Sequence, residues 1–152
     1  MPPGVAPGPA TVIVQPSQGP SLSHTVTIRR TAPGLYPTGT GMSGGFAFDS
    51  KGTVFPLVTC SSNQGCIVTQ LPLSSTPGGL DLVLYGTGFR SGIVGLRIGT
   101  RRVIVRVSYH PGSAGVNQLQ FHLAQDFPLR LYQAVLADNR EGSSNVVWLY
   151  LK

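Results

Sequence analysis

A chain of 152 residues has room for one ordinary domain or two small ones, and its 20 glycines and 13 prolines are well above average usage. Only 11% of the residues are charged while 41% are hydrophobic, which excludes the high-charge, low-hydrophobicity composition of a disordered chain. The net charge of +6 reflects 11 basic residues against 5 acidic ones. The basic residues stand singly or in the short pairs Arg29-Arg30 and Arg101-Arg102, so no nucleic-acid-binding tail is expected.

No stretch of about twenty apolar residues is present, so membrane insertion through a helix is not expected. Met1 to Ala10 has neither a basic leader nor an apolar core, so it does not read as a signal peptide. Short Val/Ile/Leu/Thr runs punctuated by Gly and Pro predict an all-β protein.

In chain order, Ala10 to Gln15 predicts a strand, and Pro16-Ser-Gln-Gly-Pro20 a turn. Leu22 to Arg30 predicts a second strand with clean alternation: Leu22, His24, Val26 and Ile28 on one face, Ser23, Thr25, Thr27 and Arg29 on the other. A lone hairpin of this kind is marginal in water. Thr31 to Gly45 is a glycine-rich connector. Phe46-Ala-Phe48 and Thr53-Val-Phe55 flank Asp49-Ser-Lys-Gly52 as a short hairpin. Val58 to Ile67 carries a cysteine loop, and Leu71 to Gly79 is a further link.

From Leu80 onward strands come at the spacing of a β-sandwich: Leu82–Tyr85, Ile93–Ile98, Arg102–Ser108, Val116–Leu123, Leu131–Ala137 and Val146–Leu151. Leu82-Val-Leu-Tyr85 ends in Gly86-Thr-Gly88, read as a sharp turn, with Phe89 as the apolar anchor of the next strand. Gly99-Thr100 joins the next two strands. Val103, Val105 and Val107 share a face, opposite Arg102, Ile104 and Arg106. With Arg97 these arginines make a basic outer surface, read first as a solvated sheet face and second as an interaction surface. The last strand is apolar on both faces: Val147, Leu149 and Leu151 point to the core. Val146, Trp148 and Tyr150 form an aromatic face expected to lie under the Phe46–Phe55 hairpin, the alternative being that Trp148 is itself a core residue.

The first thirty residues echo the last two strands. Ala10-Thr-Val-Ile-Val14, a Gln18-Gly19 turn and His24 to Ile28 parallel Gln133 to Ala137, Glu141-Gly142 and Asn145 to Leu149. The hairpin therefore reads as the end of an upstream sandwich of the same type.

Cys60-Ser-Ser-Asn-Gln-Gly-Cys66 has a wider gap than zinc-binding pairs use, and no second pair exists. A disulfide closing a polar loop is the better reading, and it points to an oxidising, extracellular compartment. Gly41-Met-Ser-Gly-Gly45 fits G-x-S-x-G, with Asp81 and His110 or His122 following in hydrolase order, but a nucleophile elbow needs a strand before the serine and a helix after it. Gly39, Gly41 and Gly44 match a dinucleotide fingerprint equally formally, without its strand–helix context. The carboxylates Asp49, Asp81, Asp126, Asp138 and Glu141 form no calcium-loop series. No catalytic, cofactor or metal site is expected.

Leu82-Val-Leu-Tyr-Gly-Thr-Gly-Phe89, the hairpin through Ile98-Gly-Thr100 and the closing strand resemble the IPT/TIG type of immunoglobulin-like domain. More of the chain resembles the Solibacter-type uncharacterised C-terminal domain family of secreted acidobacterial proteins. The matching pieces are Val5 to Val12, Thr31-Ala-Pro-Gly-Leu-Tyr36, Phe46 to Val54, the Cys60/Cys66 loop, Leu84 to Gly88 and Gly115 to Gln120. Gln125 to Tyr132 departs from that pattern, where a glycine-bearing turn is usual.

The resemblance implies location and architecture, with no attached chemistry. The expected organisation is a terminal hairpin of an upstream immunoglobulin-like domain over 1–31, a connector over 32–79 and a complete sandwich over 80–152. The expected function is a non-catalytic extracellular module ending a larger secreted protein, for adhesion, spacing or surface display. The alternative is a carbohydrate- or polymer-binding module using Trp148, Tyr150 or Tyr109. Partners would be upstream domains of the same polypeptide and a cell-surface protein or polysaccharide.

Overall fold

The computed structural model of the protein describes residues 6–28, 33–38, 42–62, 65–89, 92–138 and 142–152. Of residues 38, 42, 43, 92, 93, 131, 133, 135–138 and 142 it describes the backbone only. The chain forms two units, Met1–Arg30 and Thr31–Lys152.

The first unit is an antiparallel hairpin of β1 (Gly8–Val14) and β2 (Leu22–Ile28). Its register runs from Gly8 opposite Ile28 to Val14 opposite Leu22, and Gly19 takes the positive φ of its turn. Period-two alternation therefore places Ala10, Val12, Val14, Leu22, Val26 and Ile28 on one face. Leu22 is 70% exposed and Val14 57%, and the hairpin, a single layer, has no second layer of its own to desolvate this face.

In the second unit the strands are β3 (Gly34–Leu35), β4 (Pro37–Thr38), β5 (Met42–Ser43), β6 (Gly45–Phe48), β7 (Val54–Pro56), β8 (Val58–Ser61), β9 (Gly65–Val68) and β10 (Gln70–Leu71). A single 3-10 turn, Leu73–Ser75, follows. Then come β11 (Leu80–Thr87), β12 (Gly92–Ile98), β13 (Arg101–Tyr109), β14 (Asn117–Leu123), β15 (Leu131–Asp138) and β16 (Gly142–Leu151). Each strand predicted from Leu80 onward is present, extended by one to four residues at an end or, for Val116–Leu123, shortened by one.

The hydrogen-bonded path through this unit is β4-β5-β16-β15-β12-β13-β14-β11-β6-β7. The path folds over at β13: its residues up to Val107 pair with β12, while Arg106 to Tyr109 pair with β14. A strand that changes partners along its length turns the corner between two layers. The layer β16-β15-β12 and the layer β14-β11-β6 then share one core, and the unit is an all-β sandwich. Leu80, Leu82 and Leu84 of β11, Leu96 and Ile98 of β12, Val105 of β13, Leu119 and Leu123 of β14 and Val147 of β16 are fully buried in it.

Most of the described residues between 33 and 79 are built into this sandwich, the β8–β9 hairpin forming a sheet of its own. Leu35, Ala47, Leu57, Leu71 and Leu73 are all core residues. The β6–β7 hairpin pairs with β11, from Asp81 opposite Phe48 to Leu84 opposite Gly45. This corrects the expectation that the Phe46–Phe55 hairpin lies over the aromatic face of β16. The edge of β16 is taken instead by two short parallel partners, β5 at Trp148 and β10 at Tyr150 and Leu151. Asn145 fastens β3 nearby, its Oδ1 accepting from the Leu35 N–H at 2.7 Å and its Nδ2 donating to the Leu35 carbonyl at 3.0 Å. Val147, Leu149 and Leu151 enter the core as the alternation predicts, and Trp148 and Tyr150 are half-buried.

The Gly86-Thr-Gly88 stretch differs from its reading as a turn. Strand β11 continues through Thr87, and only Gly88 takes a left-handed φ, of 73°. Gly86 serves close approach instead: a Cβ there would stand 2.5 Å from the Gly34 carbonyl oxygen and 2.6 Å from the Phe89 ring. Phe89 is buried, and its N–H donates to Asn117 Oδ1 at 3.2 Å.

Candidate interaction surface

Alternation puts every second residue of the sandwich strands outside, and register lines these residues up across the sheet. One outward row runs Phe46 (β6), Val83 (β11), Gln120 (β14) and Arg106 (β13). Beside it run Phe48, Asp81 and His122 on one side, and Tyr85, Gln118 and Ser108 on the other. Arg97 stands directly opposite Arg102, on the part of β13 that pairs with β12 and not with β14. Like charges at directly opposed positions oppose sheet formation.

Arg102 has a seat of its own. A Cβ on Gly95 would lie 2.3 Å from its Nε, so the guanidinium lies against the bare backbone of β12. Ile104, opposite Gly95, is 74% exposed. In backbone register, Arg97 stands opposite position 135 of β15 and that position opposite Val146 of β16, whose alternation Trp148 and Tyr150 share. Register thus places all five predicted surface residues on outward positions, although Trp148 and Tyr150 belong to a strand two removed from β12 at the opposite end of the path.

An aromatic strip at the β6–β11 side was not anticipated from the sequence. The Phe46 ring centroid is 6.3 Å from that of Phe48 and 6.3 Å from that of Tyr85, and Tyr85 is 5.5 Å from His110. The rings are tilted by 40°, 59° and 64°, so they cover Val83 without forming a flat stack. Phe46, Phe48 and Tyr85 come from segments separated by more than thirty residues, and only the β6–β11 pairing brings them together. The period-two pattern of Phe46 and Phe48 was the one local signal that they share a face.

Among the described residues no group of three or more His, Cys, Asp or Glu side chains converges as a metal site. Asp81 and His122 do meet, directly opposite one another on β11 and β14, with His122 Nδ1 3.0 Å from Asp81 Oδ1 and both side chains 51% exposed. The far side of the His122 ring faces Gly79, and among the described residues no hydroxyl or thiol hydrogen-bonds it. Ser43, the serine of the G-x-S-x-G match, lies in β5, paired with β4 and at the edge of β16. Gly39 and Gly41 lie outside the described residues. Asp49 closes the β6–β7 turn, accepting from the backbone N–H groups of Lys51 and Thr53 at 2.9 and 2.8 Å. These bonds, above all that from Thr53, hold its carboxyl below the usual carboxylate pKa. An open cavity of about 660 Å³ at the end of β16 is lined by Leu129, Arg130, Tyr150, Leu151 and Lys152.

Cys60 and Cys66 form the predicted disulfide, bridging directly opposed positions of the β8–β9 hairpin. That hairpin is a two-stranded sheet of its own, joined to the sandwich through the Leu57 N–H to the Gly45 carbonyl and the Thr69 N–H to the Leu57 carbonyl. Cys60 and its neighbours Thr59 and Ser61 are exposed, so the bridge stabilises an outlying element. Replacing both cysteines by serine is expected to cost at most about 2 kcal/mol on the loop-entropy estimate. Hydrogen exchange should quicken over residues 58–68 and leave β11 to β16 unchanged. Faster exchange throughout the sandwich would refute this local role.

Fold and surface together define a two-unit all-β protein with a disulfide-closed side hairpin and a mixed aromatic, amide and arginine sheet face. Compared with protein families, curated proteins and solved structures, the chain matches none. Among the described residues no helix is long and apolar enough to cross a membrane.

Proposed function

We propose that the protein is a non-catalytic extracellular module of a larger secreted polypeptide, serving adhesion, spacing or surface display. The observation that carries this reading is the β1–β2 hairpin. Its apolar face is exposed, yet a hairpin alone is marginal in water and needs a second layer. The β15–β16 hairpin, which its sequence echoes, has the same antiparallel connection and does have such a layer. On this reading β1 and β2 close an upstream sandwich, and the chain is part of a tandem array.

The second unit is read as immunoglobulin-like, of the IPT/TIG type. Supporting this, β6-β11-β14-β13 and β12-β15-β16 follow the ABED and CFG strand orders of constant-type domains, with β10 parallel to the closing strand. Membership in the Solibacter-type C-terminal domain family belongs to the same proposal. The disulfide supports an oxidising compartment.

The test is made on intact cells that produce the protein. Lys51 and Lys152, the two lysines of the chain, are exposed. A membrane-impermeant amine reagent should label them without lysis, and Cys60 and Cys66 should resist alkylation until reduced. Labelling only after lysis, or free thiols in the isolated protein, would overturn the proposal.

A further inference from the structure

We propose that the cavity at the end of β16 binds a small organic carboxylate, with the charged group on Arg130 and Lys152 and the apolar body against Tyr150 and Leu129. The walls come from two segments, Leu129-Arg130 before β15 and Tyr150-Leu-Lys152 at the end of β16. Antiparallel pairing of Leu131 with Tyr150 brings them side by side.

Backbone bonds hold both walls in place. The Leu151 N–H donates to the Arg130 carbonyl at 3.1 Å, and the Lys152 N–H donates to the Leu71 carbonyl at 2.8 Å. On the far side of β16, Gln70 of β10 stands opposite Tyr150 in a parallel pair. The cavity is thus formed before a ligand enters, and binding does not have to order its backbone.

Size and lining select the kind of ligand. The volume of about 660 Å³ falls inside the range of roughly 300–1,000 Å³ usual for small-molecule sites. An inorganic anion would fill little of it, so the ligand has a body as well as a charge. Tyr150 is half-buried and Leu129 is 44% exposed, and they offer that body an aromatic ring and a branched aliphatic chain.

Charge decides the sign. Both ionised side chains of the lining are cations, Arg130 and Lys152, and no Asp or Glu lines the cavity. Neither cation has an ion-pair partner among the described residues, Asp126 of the same loop included. The main-chain oxygen of Lys152 is engaged by the Ser74 N–H at 2.9 Å, not by either cation. A guanidinium can hold both oxygens of a carboxylate in parallel hydrogen bonds, whereas an ammonium adds a compact point charge. Arg130 therefore orients the ligand and Lys152 reinforces it. Both cations are exposed, so salt weakens the attraction.

The test is an NMR titration of the whole chain with naphthoate, decanoate, naphthylmethanol and acetate. The two long carboxylates separate an aromatic from an aliphatic body, the alcohol lacks the charge, and acetate lacks the body. The expected result is saturable, salt-sensitive shifts of the amides of residues 129–130 and 150–152 with naphthoate or decanoate. Binding of the alcohol and of acetate should be weaker by about tenfold or more. Arg130→Ala should weaken carboxylate binding by about tenfold and Lys152→Ala by a smaller factor, with thermal unfolding unchanged because both side chains are exposed. Lys51→Ala, a cation loss in the β6–β7 turn, should leave it within about twofold. No saturable shift with either long carboxylate, shifts centred elsewhere, equal binding of the alcohol, or unchanged binding in Arg130→Ala would each overturn the inference. None of these outcomes alters the surface-labelling result, so the two proposals fail separately.

Discussion

Leu119→Ala is expected to destabilise the sandwich by about 2–5 kcal/mol. Leu119 is fully buried, and its register makes it the hinge of the core. It stands opposite Leu84 on β11 and opposite Val107 on β13, at the place where β13 passes from one layer to the other. Truncation there removes apolar contact with both neighbours and leaves a cavity that three hydrogen-bonded strands cannot collapse to fill. The cost is a large share of the roughly 5–15 kcal/mol by which ordinary domains are stable. Urea unfolding followed by tryptophan fluorescence should show a lower midpoint at unchanged slope. The reporter is Trp148, the single tryptophan, on β16 of the opposite layer. A shift of less than about 1 kcal/mol would mean that Leu119 is not seated in the core shared by the two layers.

Gly86→Ala should cost about 1–3 kcal/mol although it adds one methyl group. The added Cβ would stand 2.5 Å from the Gly34 carbonyl oxygen and 2.6 Å from Phe89 Cε2. A carbonyl in a paired strand cannot rotate away as a side-chain tip can. The substitution must therefore lift β3 from β11, move the buried Phe89 ring, or both. Lifting β3 also disturbs the two hydrogen bonds between Asn145 and Leu35. Thermal unfolding measures the loss, and hydrogen exchange at Leu35 should report the detachment directly. Wild-type stability in this variant would show that β3 is not seated on β11.

These two positions illustrate unequal legibility. Leu119 lies in an alternating run, Asn117 to Leu123, whose inward face can be read locally because each strand has a period of two. Gly86 was legible as a glycine with a backbone role, but the role was misjudged. The neighbouring sequence suggested a turn, whereas the constraint comes from Gly34, fifty-two residues earlier in the chain. No local pattern encodes such a contact.

The candidate surface divides in the same way. The alternation of Arg102, Ile104 and Arg106 placed them outside, and Arg97 with them. The other half of the face, Phe46 and Phe48 beside Tyr85 and Gln120, depends on β6 choosing β11 as its partner. The sequence suggested β16 instead, because a strand apolar on both faces asks for cover. Instead β16 is paired along its edge by β5 and β10, pieces of two residues each, too short to carry a periodic signal, and Trp148 and Tyr150 stay half-buried.

By itself the sequence determined the strand content, the inward and outward faces of Arg102–Ser108, the core-facing residues of Val146–Leu151, the Gly99 turn and the disulfide. These depend on backbone geometry over a few residues, or on the chemistry of a single pair. Tertiary structure decided which strands are neighbours, that β3 to β7 and β10 belong to the sandwich, and that aromatic, amide and arginine side chains lie in one row. Strand pairing is set by the free energy of burying one shared core, a sum over distant segments that no single stretch contains.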